Sequence, residues 1–318
     1  MKVVDLFSGC GGMSLGFEKA GYNIVAAYDN WDKAIEVYRK NFNHPIYNVN
    51  LGELTDYSDI AKYKPDMIIG GPPCQDFSSA GKRDESLGRS DLTISYAKII
   101  NYIKPKYFVM ENVARVEKSN AYMEARNILK EAGYGLTIVV LDASLCGVPQ
   151  KRKRFFMFGE LHGEDNIAKP YFEDRLSKSP MTVRDYLGDS LGVDYYYRHP
   201  RNYNRRGIFS IDEPAPTMRG VNRPLPLGYP GHKTDAAPIT DNIRALTTIE
   251  RGYIQTFPKD FFDNSMAKTH LEQMIGNAVP VNLAEYVGTS IMNYINNEKI
   301  TSNVSQQLDI FNNNKVQL

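Results

Sequence analysis

The chain has 318 residues, with 38 Lys and Arg against 37 Asp and Glu and a formal net charge of +1; its length predicts one large domain with a smaller one beside it, and bulk charge does not announce a nucleic-acid partner. It has no apolar run of about 18 or more residues, and Met1-Lys2-Val3-Val4-Asp5 enters a strand pattern at once instead of a signal peptide, so a soluble, cytoplasmic protein with no membrane association is expected. The three cysteines, Cys10, Cys74 and Cys146, lie far apart with no C-x-x-C pair, which argues against a disulfide framework and a zinc site, so that no metal is expected.

Short apolar runs followed by turn residues and then helical spacing recur at residues 3–7, 24–28, 67–69, 107–110 and 137–141. Strands alternating with helices predict a doubly wound α/β layer with a mostly parallel sheet. The first run leads into Asp5-Leu6-Phe7-Ser8-Gly9-Cys10-Gly11-Gly12, a buried strand entering a glycine-rich turn where backbone can approach a ligand closely. A nicotinamide-dinucleotide domain begins in a similar way. The third glycine of G-x-G-x-x-G would fall on Ser14, however, and that fingerprint fails. Taken alone, the segment also reads as a tight turn with no ligand.

The run at 67–69 meets Gly70-Gly71-Pro72-Pro73-Cys74-Gln75-Asp76-Phe77-Ser78. A cysteine is more often buried filler than a nucleophile, but filler sits within an element and not in a proline-fixed loop. Leu92, Tyr96, Ile99 and Ile103 then recur at helical spacing, and Pro105 ends that helix. Glu111-Asn112 follows the strand at 107–110, and Gln150-Lys151-Arg152-Lys153-Arg154 precedes the apolar run 155–158. Each is bland alone, since a carboxylate at a strand end is often a cap and a charge run is usually solvated. In an open parallel sheet, though, ligands bind outside the carboxyl ends of the strands. The glycine turn, Cys74 and Glu111 each follow such an end, so one pocket can hold all three.

From about 161 to 242 neither period persists, and prolines, arginines, tyrosines and glycines cluster; a separate loop-rich domain is expected there. Between Arg198 and Lys233 stand Arg198, Arg201, Arg205, Arg206, Arg219, Arg223 and Lys233 against only Asp212 and Glu213, a patch suited to phosphates. Leu283, Val287, Ile291 and Ile295 form the stripe of a last helix, and the polar stretch 296–318 reads as a flexible tail. The expected division is a catalytic and cofactor-binding domain at 1–160 and 243–295, a target-recognition domain at 161–242, and the tail.

The motifs, in order, resemble those of the cytosine-5 DNA methyltransferases of bacterial restriction-modification systems. They are the glycine turn, Pro73-Cys74-Gln75, Glu111-Asn112-Val113, the Gln-x-Arg-x-Arg at 150–154, Arg244-Ala245-Leu246-Thr247 with Glu250 and Gln255-Thr256-Phe257-Pro258, and Gly276-Asn277-Ala278-Val279-Pro280. The resemblance implies a Rossmann-like fold and methyl transfer from S-adenosylmethionine to carbon-5 of cytosine in duplex DNA. Cys74 is then the covalent nucleophile at carbon-6, and Glu111, partly protonated, contacts ring nitrogen-3 and the amino group. Arg154, with Arg152, steadies the ring oxygen and the adjacent backbone. Cofactor binding falls to Asp5, Phe7, Ser8, Gly9, Gly11, Gly12, Asp29, Asn30, Trp31, Asn50, Leu51, Pro72, Asn277 and Ala278.

The chain departs from the family pattern in places. Asn30 precedes Trp31 where an acid usually binds the ribose hydroxyls, Val49-Asn50-Leu51 replaces a Gly-Asp-hydrophobic element at the adenine, and Tyr253 stands where many members carry arginine. An asparagine carbonyl can still accept from the adenine amino group.

On the DNA side the resemblance implies a flipped target base and a closing loop at 78–90 with Ser78, Lys82, Arg83 and Arg89. Reading of the sequence is expected around Thr217 and Met218, with Arg219 and Arg223 on guanines and Arg201, Arg205 and Arg206 on phosphates. A monomer is expected, with a cognate restriction endonuclease as a functional partner. A transfer-RNA cytosine methyltransferase is the nearest rival, but such relatives carry Cys-Phe-Thr where this chain has Cys74-Gln75-Asp76; a silent DNA-binding regulator would be expected to lose Cys74, Glu111 or Arg154. In the tail, Gln307-Leu308-Asp309-Ile310-Phe311 resembles the short peptide by which bacterial proteins dock on the replication sliding clamp.

Overall fold

The computed structural model describes residues 1–73, 92–263 and 265–297. Cys74, the loop carrying Ser78, Lys82, Arg83 and Arg89, and the tail peptide at 307–311 lie outside the described residues.

By contact the chain forms two compact units, the first made of Met1–Leu141, Lys153–Arg175 and the last helix from Ala284, the second of Asp142–Arg152 and Leu176–Leu283. In the first, β1 (Lys2–Leu6), α1 (Gly12–Lys19), β2 (Asn23–Asp29), α2 (Asp32–Asn41) and β3 (Ile46–Asn48) are followed by a short α3 (Ser58–Ala61), β4 (Met67–Gly70), α4 (Leu92–Ile103), β5 (Tyr107–Val113), α5 (Asn120–Glu131) and β6 (Tyr134–Asp142). After β7 (Gln150–Lys151), which belongs to the second unit, β8 (Lys153–Leu161) re-enters the sheet, α6 (Lys169–Glu173) follows, and the last helix, Val281–Ile295, counts with this unit from Ala284.

The seven strands run β3-β2-β1-β4-β5-β8-β6. β1 pairs parallel with β2 and β4, β2 with β3 and β4 with β5, while β8 lies antiparallel to β5. The expected mostly parallel, doubly wound sheet is therefore present, and its order reverses between β1 and β4, the kind of place at which open sheets bind ligands outside their strand ends. The inner strands read as continuous apolar runs because both faces are covered: Val3, Val4, Leu6, Met67, Ile68, Ile69, Phe108 and Val109 are all fully buried. α4 adds Tyr96, whose hydroxyl donates to the carbonyls of Ile68 (3.2 Å) and Val109 (2.9 Å), tying β4 to β5. The last helix is held by Tyr286 Oη donating to the Phe172 carbonyl (2.7 Å) and by Tyr22 Oη donating to the Gly288 carbonyl (3.0 Å).

In the second unit, β9 (Tyr195–Tyr197), β10 (Ile208–Ser210) and, after β11 (Ala215–Pro216), β12 (Arg244–Ala245) give a three-stranded sheet in the order β10-β9-β12, while β11 pairs with β7. Helices α7 (Val183–Leu187), α8 (Thr248–Ile254) and α9 (Lys268–Asn277) accompany them. The α7 and α8 starts are fixed by reciprocal capping boxes, Thr182 with Asp185 and Thr247 with Glu250. Val183, Leu187, Tyr196, Ile211, Met218, Leu246 and Ile254 form its core. Among the described residues no helix is long and apolar enough to cross a membrane.

Candidate active site

The glycine turn leaves β1 through Phe7, which takes φ 58°, a left-handed backbone that bulky residues rarely adopt. Gly11 follows at φ 98°, and a Cβ there would stand 2.3 Å from Phe42 Cε2, so no side chain fits. Asp29, at the end of β2, fastens this turn: its Oδ2 accepts from Gly9 N (2.7 Å) and its Oδ1 from Trp31 N (2.8 Å). With both oxygens holding backbone, Asp29 shapes the site, and the exposed Asn30 beside it presents the amide to solvent. Ser8 N donates to the Tyr28 carbonyl (3.1 Å). After β3, Asn50 is exposed and its Oδ1 accepts from Gly52 N (3.2 Å), while Leu51 is buried.

Asp5 is 1 % exposed, and burial, reinforced by the nearby Asp29 charge, pushes its carboxyl up to about 7. Ser14 Oγ donates to its Oδ2 (2.6 Å), but its buried Oδ1 has no partner among the described residues. A native buried carboxylate oxygen is almost always paired, so this one calls for a donor. An ammonium group would be one such donor. That orphaned oxygen, the half-buried Phe7 ring and the Asn30 amide fit the three parts of S-adenosylmethionine: amino acid, flat base and ribose.

On the neighbouring strands, Glu111 ↔ Phe156 and Val113 ↔ Arg154 are opposed across β5 and β8. Arg154 is therefore Glu111's diagonal neighbour on the same face. Their charges meet, Arg154 Nε lying 2.9 Å from Glu111 Oε1 with side chains 15 % and 12 % exposed. Burial lowers the Arg154 pKa and the Glu111 charge opposes that shift. Gly71 lies alongside, where a Cβ would stand 3.1 Å from Glu111 Oε2. Asn112 Nδ2 donates to the buried Pro72 carbonyl (2.9 Å), which fixes the backbone two residues before Cys74. The two described cysteines are unsuited to nucleophilic work: Cys10 and Cys146 are 2 % and 1 % exposed, and burial pushes the Cys10 thiol up to about 12.

Arg152 is placed differently from Arg154, although the two share one motif. It is 1 % exposed and donates to the carbonyls of Met218 (3.0 Å), Gly276 (3.0 Å) and Ala278 (3.1 Å). Gln150 donates to Gln255 Oε1 (2.7 Å) and accepts from Met218 N (2.9 Å), and Gln255 donates to the Ala278 carbonyl (3.1 Å). Three motifs far apart in sequence are thus stitched into the core of the second unit, and Asn277 and Ala278 sit on that seam. Gln150, Gln255 and Asn112 had no assigned role in the sequence reading.

In the expected DNA-reading segment, Thr217 Oγ1 donates to the Lys151 carbonyl (2.7 Å). Met218 is 2 % exposed and belongs to the core, not to a surface edge. Arg198 donates to the Thr217 carbonyl (2.7 Å) and Arg219 to the His199 carbonyl (2.6 Å), a reciprocal clasp. Burial lowers the His199 pKa, and the charges of Arg223, Arg219 and Arg198 lower it further. Arg201, Arg205 and Arg223 are exposed, whereas Arg206 is paired with Glu213 and stacks 4.2 Å over Phe209.

The sequence profile of the family described as C-5 cytosine-specific DNA methylase matches residues 1–293. The type II methyltransferase M.HindV of Haemophilus influenzae is 61% identical over 296 residues, covering 92% of this chain and 97% of its own length. The type II methyltransferase M.HgiDI of Herpetosiphon aurantiacus is 54% identical over 302 residues, covering 94% and 97%. The crystal structure of the S. pombe Dnmt2 methyltransferase shares the fold with TM-score 0.71 at 22% identity, covering 93% of this chain and 99% of that one. A putative DNA modification methyltransferase encoded within an E. coli prophage does so with TM-score 0.67 at 23% identity, again covering 93% and 99%.

Proposed function

This chain belongs to the C-5 cytosine-specific DNA methylase family, and on that basis we propose how its residues carry out the transfer. It is a DNA (cytosine-5-)-methyltransferase of a family that uses S-adenosylmethionine, and its substrate is DNA. Its likeness to type II methyltransferases supports a role in protecting host DNA from a cognate restriction enzyme, and we propose that it works as a monomer.

Carbon-5 of cytosine is a poor nucleophile because the ring is aromatic. Addition of the Cys74 thiolate to carbon-6 makes an enamine and gives carbon-5 its nucleophilic character. Glu111 faces nitrogen-3 and the amino group and stabilises charge as the adduct forms, and Arg154 holds the Glu111 carboxyl in place. The bound cofactor supplies the methyl group, and Asp5, Phe7 and Asn30 hold and orient it. Loss of the carbon-5 proton to base then expels the thiolate and restores both the ring and Cys74. The base leaves the duplex stack first, at a cost of a few kcal/mol. Arg219 and Arg223 read guanine edges, and Arg201 and Arg205 hold phosphates.

The observation that carries this reading is the Glu111–Arg154 pair, set against Gly71 and next to a Pro72 carbonyl pinned by Asn112. Protein incubated with tritium-labelled S-adenosylmethionine should label duplex DNA and leave transfer RNA unlabelled; label on RNA alone would reverse the substrate assignment. Docking of residues 307–311 on a sliding clamp is a separate proposal resting on the Gln-Leu-Asp-Ile-Phe sequence. A peptide of residues 303–318 should bind a purified bacterial clamp and lose binding on Phe311→Ala, and absence of binding ends that idea.

A further inference from the structure

From Asp5 a chain of short hydrogen bonds runs out of the cofactor turn to the surface of the first unit. Ser14 Oγ donates to Asp5 Oδ2 at 2.6 Å, Ser14 Oγ and Tyr38 Oη are 2.6 Å apart, and Tyr38 Oη lies 2.6 Å from His44 Nε2. At the outer end His44 Nδ1 faces Glu18 Oε1 at 3.3 Å, with side chains 11 % and 35 % exposed. Asp5 is also faced by Asp29 from β2 and Tyr96 from α4. His44 packs against the Tyr38 and Phe42 rings.

Counting protons along the chain restricts its states. Ser14 and Tyr38 own one hydroxyl proton each, and burial raises the Tyr38 pKa well above its ordinary value, so it keeps its proton. If Asp5 is ionised, Ser14 donates to it, Tyr38 must donate to Ser14, and His44 Nε2–H must donate to Tyr38. Nδ1 also carries a proton against the Glu18 carboxylate, so His44 is then an imidazolium. If Asp5 is protonated on Oδ2, the oxygen that meets Ser14, every bond reverses: Asp5 donates to Ser14, Ser14 to Tyr38, Tyr38 to Nε2, and His44 keeps only the Nδ1 proton. Passing between the two states moves one proton across each of the three bonds, and nothing enters or leaves. Ionised Asp5 with a neutral His44 keeps the three inner bonds only as the Nε2–H tautomer, which turns the bare Nδ1 lone pair toward Glu18 Oε1 at 3.3 Å and gives up that outer link.

We propose that Ser14, Tyr38 and His44 are positioning residues that form a proton relay, taking the Asp5 proton out to His44 when the cationic amino-acid end of the cofactor binds. The inference rests on the reading of Asp5 as a cofactor residue. The relay ionises Asp5 for the ammonium without releasing a proton to solvent. Binding then stays insensitive to pH near neutrality, although an isolated carboxyl raised to about 7 would otherwise be about half protonated there and largely protonated a unit below.

The test is calorimetry of S-adenosylhomocysteine binding to the full chain at about pH 6, in buffers of different ionisation enthalpy, which reads the net protons released. The native protein should release close to none. Tyr38→Phe and His44→Gln should each release about one proton per ligand, with affinity falling about tenfold for each pH unit below Asp5's range. Asp5→Asn should bind more weakly, by about tenfold or more, at every pH and release none. Variants that release no more than the native protein overturn the relay while Asp5 still binds cofactor; undiminished binding by Asp5→Asn overturns the cofactor reading itself, and the relay with it.

Discussion

Arg154 Nε stands 2.9 Å from Glu111 Oε1, on the antiparallel strand next to the one that carries the carboxylate. Both side chains are mostly buried, so removing one leaves the other uncompensated, at about 3 kcal/mol or more. Arg154→Ala should lower kcat by about a hundredfold or more and also lower the unfolding free energy. Glu111→Gln should lower kcat while destabilising less, because the amide oxygen still accepts from Arg154 Nε although that cation loses its counter-charge. Denaturant unfolding alongside single-turnover rates separates the two effects.

Arg152 should behave in the opposite way. Its guanidinium satisfies the carbonyls of Met218, Gly276 and Ala278, and leaving buried acceptors unpaired costs about 1–3 kcal/mol each. Arg152→Ala should therefore lose most of its folded population, and Arg152→Lys, a point charge that cannot fork among three carbonyls, should recover little of it. A melting curve checks this; a stable, folded and inactive Arg152→Ala would return the residue to the chemistry.

That contrast shows what could be read without coordinates. The strands at 107–110 and 67–69, the helix beginning at Leu92 and ending at Ile103, and the Glu111 and Arg154 motifs were legible, because each rests on local periodicity or on a short signature. Arg152 was not distinguishable from Arg154: its three partners lie 66, 124 and 126 residues away, and only the fold brings them near. β3 is three residues long, too short for a period. Met218 was expected at a reading edge beside Thr217, yet Gln150 and Arg152 hold its backbone in the core. Asp29 and Asn30 are adjacent, and the hydrogen bonds from Gly9 and Trp31 show which one is occupied by backbone.

Asp5 gives a pH dependence whose sign is fixed. Its folded carboxyl is raised to about 7 from 3.8, so the folded state binds that proton more firmly. The associated stability is fully present below 3.8, is lost as pH rises toward 7, and amounts to about 4 kcal/mol at most. Asp5→Asn, neutral at every pH, should melt above the native protein at pH 8 in the absence of cofactor. The difference should shrink toward pH 4. Calorimetric scans across that range check it, and a constant difference would contradict it.

Arg219→Ala and Arg223→Ala should relax the recognised site at one base position each, by about 1–3 kcal/mol of discrimination. Arg201→Ala and Arg205→Ala should weaken binding to all sequences alike and make the salt dependence shallower by about one unit of slope each. Methylation of a randomised DNA library, read by bisulfite sequencing, gives the first result, and titrations at several salt concentrations give the second. Equal weakening on every sequence by Arg219→Ala would move it among the phosphate contacts.

The covalent role of Cys74 is tested most directly by duplex DNA carrying 5-fluorocytosine at the target position, because fluorine at carbon-5 cannot leave as a proton does and the adduct is held. With S-adenosylmethionine present, the native protein should form a denaturation-resistant complex, and mass mapping should find the DNA on the peptide containing Cys74. Cys74→Ala should fold and bind S-adenosylhomocysteine normally, yet trap nothing. A complex formed through Cys10 or Cys146, or one that survives Cys74→Ala, would contradict the mechanism.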